Sequence, residues 1–372
     1  MTLAKKSREA NLDLLRIVSM LLIIFLHSID HSGVLENAEN CGTGIYFWVQ
    51  LTYALCMVCV NIYVMLSGYF MVNSKFRLHK LLTLWIEAVF YSFVLKLVFM
   101  LTGAEAFSLV SLASCFVPIL TGRYWFLTIY VGMYLISPFI NLLIRALNKK
   151  QHTLLNLALF VIMSLWASIH PAIAGMNSGG GWGLAWFVVL YLAAAWLRLY
   201  HAPVRKAWLY FLVFLGIASV MAFLRTVLAG GASVPLGSTL AAIAQNWYRY
   251  DSAPVYIMTV CLFIGFLNIQ IHNNWLSKVI TAVAPLTLGV YLIHAHANVS
   301  PWSWAVLDLP AKMDSALFPL IQFACVIGIF AICIAIDAAR KATVGRLAQS
   351  RRIAEVCRKV EEMVQKLISE RL

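Results

Sequence analysis

Apolar residues in this chain fall into blocks too long and too numerous for the core helices of a soluble protein. About 20 consecutive apolar residues cross the hydrocarbon layer as a helix, and ten blocks reach roughly that length. They run at about 12–33, 45–71, 79–102, 124–146, 153–173, 182–200, 207–229, 254–271, 278–298 and 315–337. A further stretch, "FSLVSLASCFVPILTG" at 107–122, is shorter and carries Pro118. It reads as an interfacial or re-entrant segment on the outer side. The expected fold is all-α: a polytopic transmembrane bundle of about ten spans, with cytoplasmic N- and C-termini. Residues 1–337 form the integral domain and 338–372 a basic amphipathic tail helix. In that tail Ile353, Val356, Val360, Met363 and Leu367 recur every three or four residues. Such a stripe suits a helix on the inner membrane surface, a solvated tail, or pairing in a homodimer.

Composition and charge sharpen this picture. Of the 372 residues 62% are hydrophobic and only 12% charged, against roughly a quarter charged in soluble domains. The connections expected inside carry Lys75, Arg77, Lys80, Arg145, Lys149, Arg198 and Arg205, among others. The outer ones carry Glu36, Glu105, Asp251 and Asp308, with few cations. The positive-inside rule is obeyed loop after loop, and an eleventh span at 107–122 would break it. The net charge of +13 therefore implies membrane lipids as partners, each basic residue near an anionic leaflet contributing about 1 kcal/mol. It does not imply nucleic acid. Lys5, Lys6 and Arg8 before the first block imitate a signal peptide, but Arg16 and His27 interrupt it and no convincing cleavage site follows, so it reads as retained. The eight cysteines suggest no disulfide framework, and the Cys56/Cys59 spacing reads as packing, since a metal needs more ligands. No internal repeat is evident.

Polar groups inside spans are where function is expected in a bilayer. Arg16 and His27 stand eleven positions apart, so they lie about 20° apart around the helix and about 16 Å apart along it. They share one face, which must look into the bundle or a water-filled cavity. Arg16 alone could instead snorkel to the near interface and pair with Asp13. His27 lies past the midplane, where a hydrogen bond between helices is the plain alternative. His27, Asp30 and His31 at i, i+3, i+4 could hold a metal or orient a histidine through a carboxylate. Orientation is favoured, and no metal is expected.

Five stretches, in order, resemble the acyltransferase 3 family of integral membrane acyltransferases. "NLDLLRIVSMLLIIFLHS" has the Arg, ten residues, His spacing of its first helix. "VNIYVMLSGYFM", "YWFLTIYVGMYLISPFIN", "YRYDSAPVYIMTVCLFIGF" and "TLGVYLIHAHANV" are similar to later helices. The resemblance covers residues 9 to about 337. One departure is the loop "NSKFRLHKLLTLW", where that family usually carries a denser arginine cluster.

The resemblance implies transfer of an acyl group, commonly acetyl from acetyl-CoA, to a hydroxyl of a cell-surface polysaccharide or lipid-linked glycan. The acyl-CoA is a donor substrate, and no bound cofactor is implied. Coenzyme A is cytosolic and phosphorylated, so Arg16, Lys75, Arg77 and Lys80 suit its binding. His27 suits a general base or a transient acyl carrier, with Arg16 as its partner in catalysis. On the outer side Trp247, Tyr248 and Tyr250 either form an aromatic belt at the interface or offer flat faces to sugar rings, with Arg249 and Asp251 for polar contacts. Arg123 and His294 are further acceptor-side candidates. Asp30 is expected to orient His27, and Glu87 to neutralise a basic neighbour such as Lys80. Lys96 and Arg225 need only snorkel, and "GMNSGGGWG" at 175–183 reads as a flexible outer loop. A multi-pass protein of a bacterial cytoplasmic membrane is expected. A transporter or flippase, which should show repeats and broken helices, and a membrane sensor domain of the same fold remain open.

Overall fold

In a hydrocarbon layer every backbone N–H and C=O must be satisfied within its own segment, so apolar blocks fold as helices. The structure, a computed structural model, describes residues 9–169, 179–229, 237–343, 355 and 358–363, and among them there is no strand. The chain opens with α1 (Ala10–Asp30), a short α2 (Val34–Ala38), α3 (Thr43–Cys56) and α4 (Cys59–Met71). α3 and α4 form one 29-residue apolar stretch, interrupted at Met57 and Val58. Next come α5 (Leu78–Leu101), α6 (Leu109–Ala113), α7 (Trp125–Ala146), α8 (Lys149–Phe160), α9 (Trp166–Ile169), α10 (Leu184–Tyr200) and α11 (Trp208–Ala229). The remainder is α12 (Gly237–Asn246), α13 (Ala253–Leu267), α14 (Asn274–Val283), α15 (Thr287–His294), α16 (Val299–Leu307) and α17 (Phe318–Thr343).

Among the described residues eight stretches are long and apolar enough to cross a membrane. The shorter apolar helices α10 and α13 fall at the other two expected blocks. Residues 107–122 form no spanning helix: α6 has five residues, followed by a single 3-10 turn. Val110 and Leu120 there are 82% and 85% exposed, as suits an apolar flap at an interface. α17 runs past residue 337 to Thr343. Beyond it only 355 and 358–363 are described, as helix, and Glu361 accepts a bond from the His79 N–H at 3.2 Å. Lys5, Lys6, Arg8, Ile353, Val356, Cys357 and Leu367 lie outside the described residues.

α1 is the hub of the bundle, packing against α3, α4, α13, α14, α15 and α17. Its polar side chains therefore face protein. Trp48 Nε1 donates to Gln322 Oε1 at 2.9 Å, and Gln322 Nε2 donates to Ser28 Oγ at 3.0 Å, tying α3 and α17 to α1 one residue from His27. α4 lies close against α10 because Gly68 has no side chain: a Cβ there would sit 2.9 Å from Tyr191 Cα. Small residues permit such backbone approach where no hydrophobic effect drives helices together. The described cysteines are all free thiols, and Cys56 and Cys59 are buried on either side of the α3–α4 break. Lys75, Lys80 and Arg145 gather where α4 ends, α5 begins and α7 ends, which defines a basic end of the bundle.

Candidate active site

The side chains that α1 turns inward line a cavity of about 480 Å³. Arg16 and His27 both reach it, as do Asp30 and His31. A second hollow of about 210 Å³ shares Arg16, Tyr63, Ser67 and Tyr130 with the first. A third, of about 220 Å³, shares Met71, Lys80 and Tyr134 with the second and adds Lys75 and Arg145. The three adjoin one another from the basic end to the far side of α1.

Arg16 does two things at once. Its Nη1 donates to Asp13 Oδ1 at 2.5 Å, the i, i+3 pair expected of a snorkelling residue. The rest of its planar fork, which carries five donors in all, borders the first two hollows. Tyr63 donates to the Arg16 carbonyl at 3.1 Å and lines both as well. Lys75 and Lys80 line the third hollow, while Arg77 does not. The Arg77 backbone instead exchanges bonds with the Tyr134 hydroxyl at 3.0 and 3.1 Å, and its side chain is exposed.

His27 is held by imidazoles. Its Nδ1 lies 3.1 Å from His294 Nε2, and His294 Nδ1 lies 2.6 Å from the Val290 carbonyl. His31 stacks on His27, ring centroids 4.5 Å apart and planes 18° apart. Asp30 lies toward the Tyr53 hydroxyl, and the group that meets His27 Nδ1 is His294, delivered by α15. Among the described residues no group of three or more His, Cys, Asp or Glu side chains is placed to hold a metal ion.

On the side of the cavity away from the basic end the wall is aromatic. Trp125 and Trp182 have ring centroids 4.3 Å apart, and Tyr250 lies 5.5 Å from Trp182 and 6.3 Å from Trp125. Trp182 is 51% exposed. It is delivered by Gly179, Gly180 and Gly181, all at positive φ, a region open to glycine at no steric cost. A Cβ on Gly181 would also stand 2.5 Å from Tyr250 Cβ. The described part of the glycine-rich loop is thus a shaped support. Its signal in the sequence was three glycines in a row before a tryptophan.

Other expected acceptor residues make contacts within the protein. Arg249 grips the fully buried Asp251 with two bonds of 3.0 and 2.9 Å. Tyr248 is buried and donates to the Gln50 carbonyl at 3.2 Å. Trp247 packs partly buried on the core, and none of these four lines the 480 Å³ cavity. Arg123 does line it, while its Nη2 donates to Ser114 Oγ at 2.6 Å on the interfacial flap. Glu87 meets Arg340 at 2.9 Å rather than Lys80, because α17 brings a cation that lies 253 residues away in sequence. In the connections, Glu105 is paired with Lys96 and accepts from Asn298 Nδ2 at 2.7 Å. The Lys96 bond first of all holds its carboxyl below the usual range. His296 Nδ1 accepts the Asn298 N–H at 3.2 Å.

A paired cation and an imidazole thus line one of three adjoining hollows. The model of a family described as an acyltransferase domain matches residues 9–338, nearly the whole described bundle. The chain belongs to the acyltransferase 3 family. Comparison with curated proteins and with solved structures gives no match. As an acyltransferase 3 member it has an acyltransferase role within the membrane, and the family is associated with acyl-CoA donors and with glycan or lipid acceptors. In this acyltransferase 3 chain the matched segment includes Arg16, His27, Arg123, Trp125, Trp182 and His294.

Proposed function

We propose that this protein is a membrane O-acyltransferase that moves an acyl group, acetyl first among the candidates, from cytosolic acyl-CoA to a hydroxyl of a surface polysaccharide or lipid-linked glycan. The observation that carries this reading is the run of three adjoining hollows, with Arg16 and His27 both on the wall of the one farthest from the basic end. The basic end faces the cytosol, in keeping with the positive-inside rule. There Lys75, Lys80 and Arg145 receive the phosphates of coenzyme A. Arg16 stands deeper, and the pantetheine arm carries the thioester past it toward His27. Arginine binds phosphate oxygens as a fork, lysine as a point charge.

At His27 the acceptor hydroxyl gives its proton to the imidazole as its oxygen attacks the thioester carbonyl carbon. The C–S bond breaks, and the departing thiolate takes the proton back from the ring. His27 is general base and then general acid, and both substrates meet in one cavity. The acceptor enters from the opposite end, where Trp125, Trp182 and Tyr250 offer apolar faces to a sugar ring and Arg123 offers a cation. Placed in a bacterial cytoplasmic membrane with ten spans, the chain would join two compartments by one chemical step.

Mass spectrometry of surface polysaccharide and lipid-linked precursors, from cells with and without this chain, tests the reading. One added acetyl per modified unit in the presence of the chain is expected. Identical masses in both samples would point to transport or sensing instead.

Two substitutions separate the two ends. Arg16→Ala is expected to raise the KM for acetyl-CoA by about 10-fold or more, since a charge-assisted bond contributes about 1.5–3 kcal/mol. The acceptor KM should stay near its original value, and unchanged donor dependence would leave Arg16 a snorkelling residue. Trp182→Ala is expected to act on the other axis, raising the acceptor KM about fivefold for a lost ring contact of about 1 kcal/mol. A donor-side defect in that variant would contradict the placement.

A further inference from the structure

We infer that His294 is a positioning residue that fixes His27 with its proton on Nδ1, so that His27 Nε2 is the nitrogen that exchanges protons with the substrates. The inference rests on the acyl-transfer reading of the cavity and assigns His294 to the base rather than to the acceptor.

The assignment follows from who can donate to whom. A carbonyl oxygen only accepts, so His294 Nδ1, 2.6 Å from Val290 O, carries a proton. A neutral imidazole has one N–H, which leaves His294 Nε2 with a lone pair. That nitrogen lies 3.1 Å from His27 Nδ1. Two lone pairs do not share a hydrogen bond, so His27 Nδ1 holds a proton and donates it. His27 Nε2 is then the unprotonated nitrogen. The surroundings of His294 favour the neutral ring: its two nitrogens face a carbonyl and another imidazole, not a carboxylate.

The geometry is built by α15. His294 is its last residue, and its ring turns back on the carbonyl four positions earlier. The Val290 oxygen thereby uses its second lone pair as the helix ends. Tyr124 donates to the neighbouring Leu292 carbonyl at 2.9 Å and holds the same turn. Stacking on His31 restrains the His27 ring from its face.

During transfer the proton leaves the acceptor hydroxyl for His27 Nε2, the new C–O bond forms and the C–S bond breaks. The same proton then passes from Nε2 to the thiolate, so the ring returns to its starting state. In between, His27 is a cation, and its Nδ1–H bond to His294 becomes charge-assisted and stronger. His294 thus does without charge what a carboxylate does behind a catalytic histidine: it selects the tautomer and supports the imidazolium.

The test is nitrogen NMR of the full chain in lipid nanodiscs, labelled with 15N-histidine, with His27 assigned by loss of its signals in His27→Ala. His27 is expected as the Nδ1–H tautomer in the unmodified protein. In His294→Leu that preference should be lost, and kcat should fall by about 10²–10⁴-fold, the range for a base lost or misdirected. The acetyl-CoA KM should be unchanged. His294→Gln, whose amide oxygen accepts from His27 Nδ1–H, should recover part of kcat. A proton on His27 Nε2 in the unmodified protein, or full kcat in His294→Leu, would overturn the inference. The tautomer is read without turnover, so it fails or stands separately from the acyl-transfer reading, which His27→Ala tests by activity.

Discussion

Replacing His27 with alanine is expected to abolish acyl transfer, a loss of about 10²–10⁴-fold or more, while the chain still inserts and folds. The imidazole lines the 480 Å³ cavity, and nothing else on α1 between it and Arg16 offers a proton acceptor of similar reach. The helix itself keeps its contacts with α3, α4, α15 and α17, and the Trp48–Gln322–Ser28 bridge beside the site survives. What is lost is the His294 bond and the His31 stack. The check is transfer by purified protein in vesicles, read alongside size-exclusion behaviour. Full modification of glycan by this variant would remove His27 from catalysis.

The second large effect falls on stability, at a place remote from the chemistry. Arg340 donates to Asp337 Oδ1 at 2.7 Å and to Glu87 Oε1 at 2.9 Å, and lies over the Tyr91 ring. Tyr91 donates to the same Asp337 oxygen at 2.7 Å, and Asp337 is fully buried. Gly289 on α15 makes room for the Asp337 carboxyl, with which any Cβ there would collide. Arg340→Leu would strand two carboxylates between α5, α15 and α17, and breaking such a buried set typically costs about 3–5 kcal/mol. A pronounced drop in the thermal midpoint of the detergent-solubilised protein is expected. Adding Glu87→Gln and Asp337→Asn should return part of it, because neutral amides tolerate the loss of the cation. An unchanged midpoint in Arg340→Leu would mean that the cluster contributes little.

Much of the fold was legible because a bilayer leaves one way to satisfy a backbone. The apolar blocks became helices where expected, and Pro118 marked the segment that does not span. The pairing of Arg16 with His27 on one face was equally legible, being fixed by the helical repeat within α1. What spacing could not supply were partners from distant helices. His294 reaches His27 across 267 positions, and Glu87 found Arg340 rather than the nearby Lys80. Loop residues were less legible for a different reason. The aromatic and charged run at 247–251 looked like a sugar platform, yet Arg249 spends its charge on Asp251 and only Tyr250 turns to the cavity. Trp182 stands beside Tyr250 on that wall, and its glycine support reads as slack in sequence but is required by three left-handed residues in space.

The central claim is that donor and acceptor meet at His27 from opposite faces of the membrane. It is tested most directly by sided transfer in sealed proteoliposomes. Labelled acetyl-CoA is enclosed, and water-soluble polysaccharide from cells lacking this chain is added outside. Label is expected on the outer polysaccharide when the substrates are on opposite sides, and none when both are outside. Transfer with both on one side, and none across the bilayer, would contradict the account.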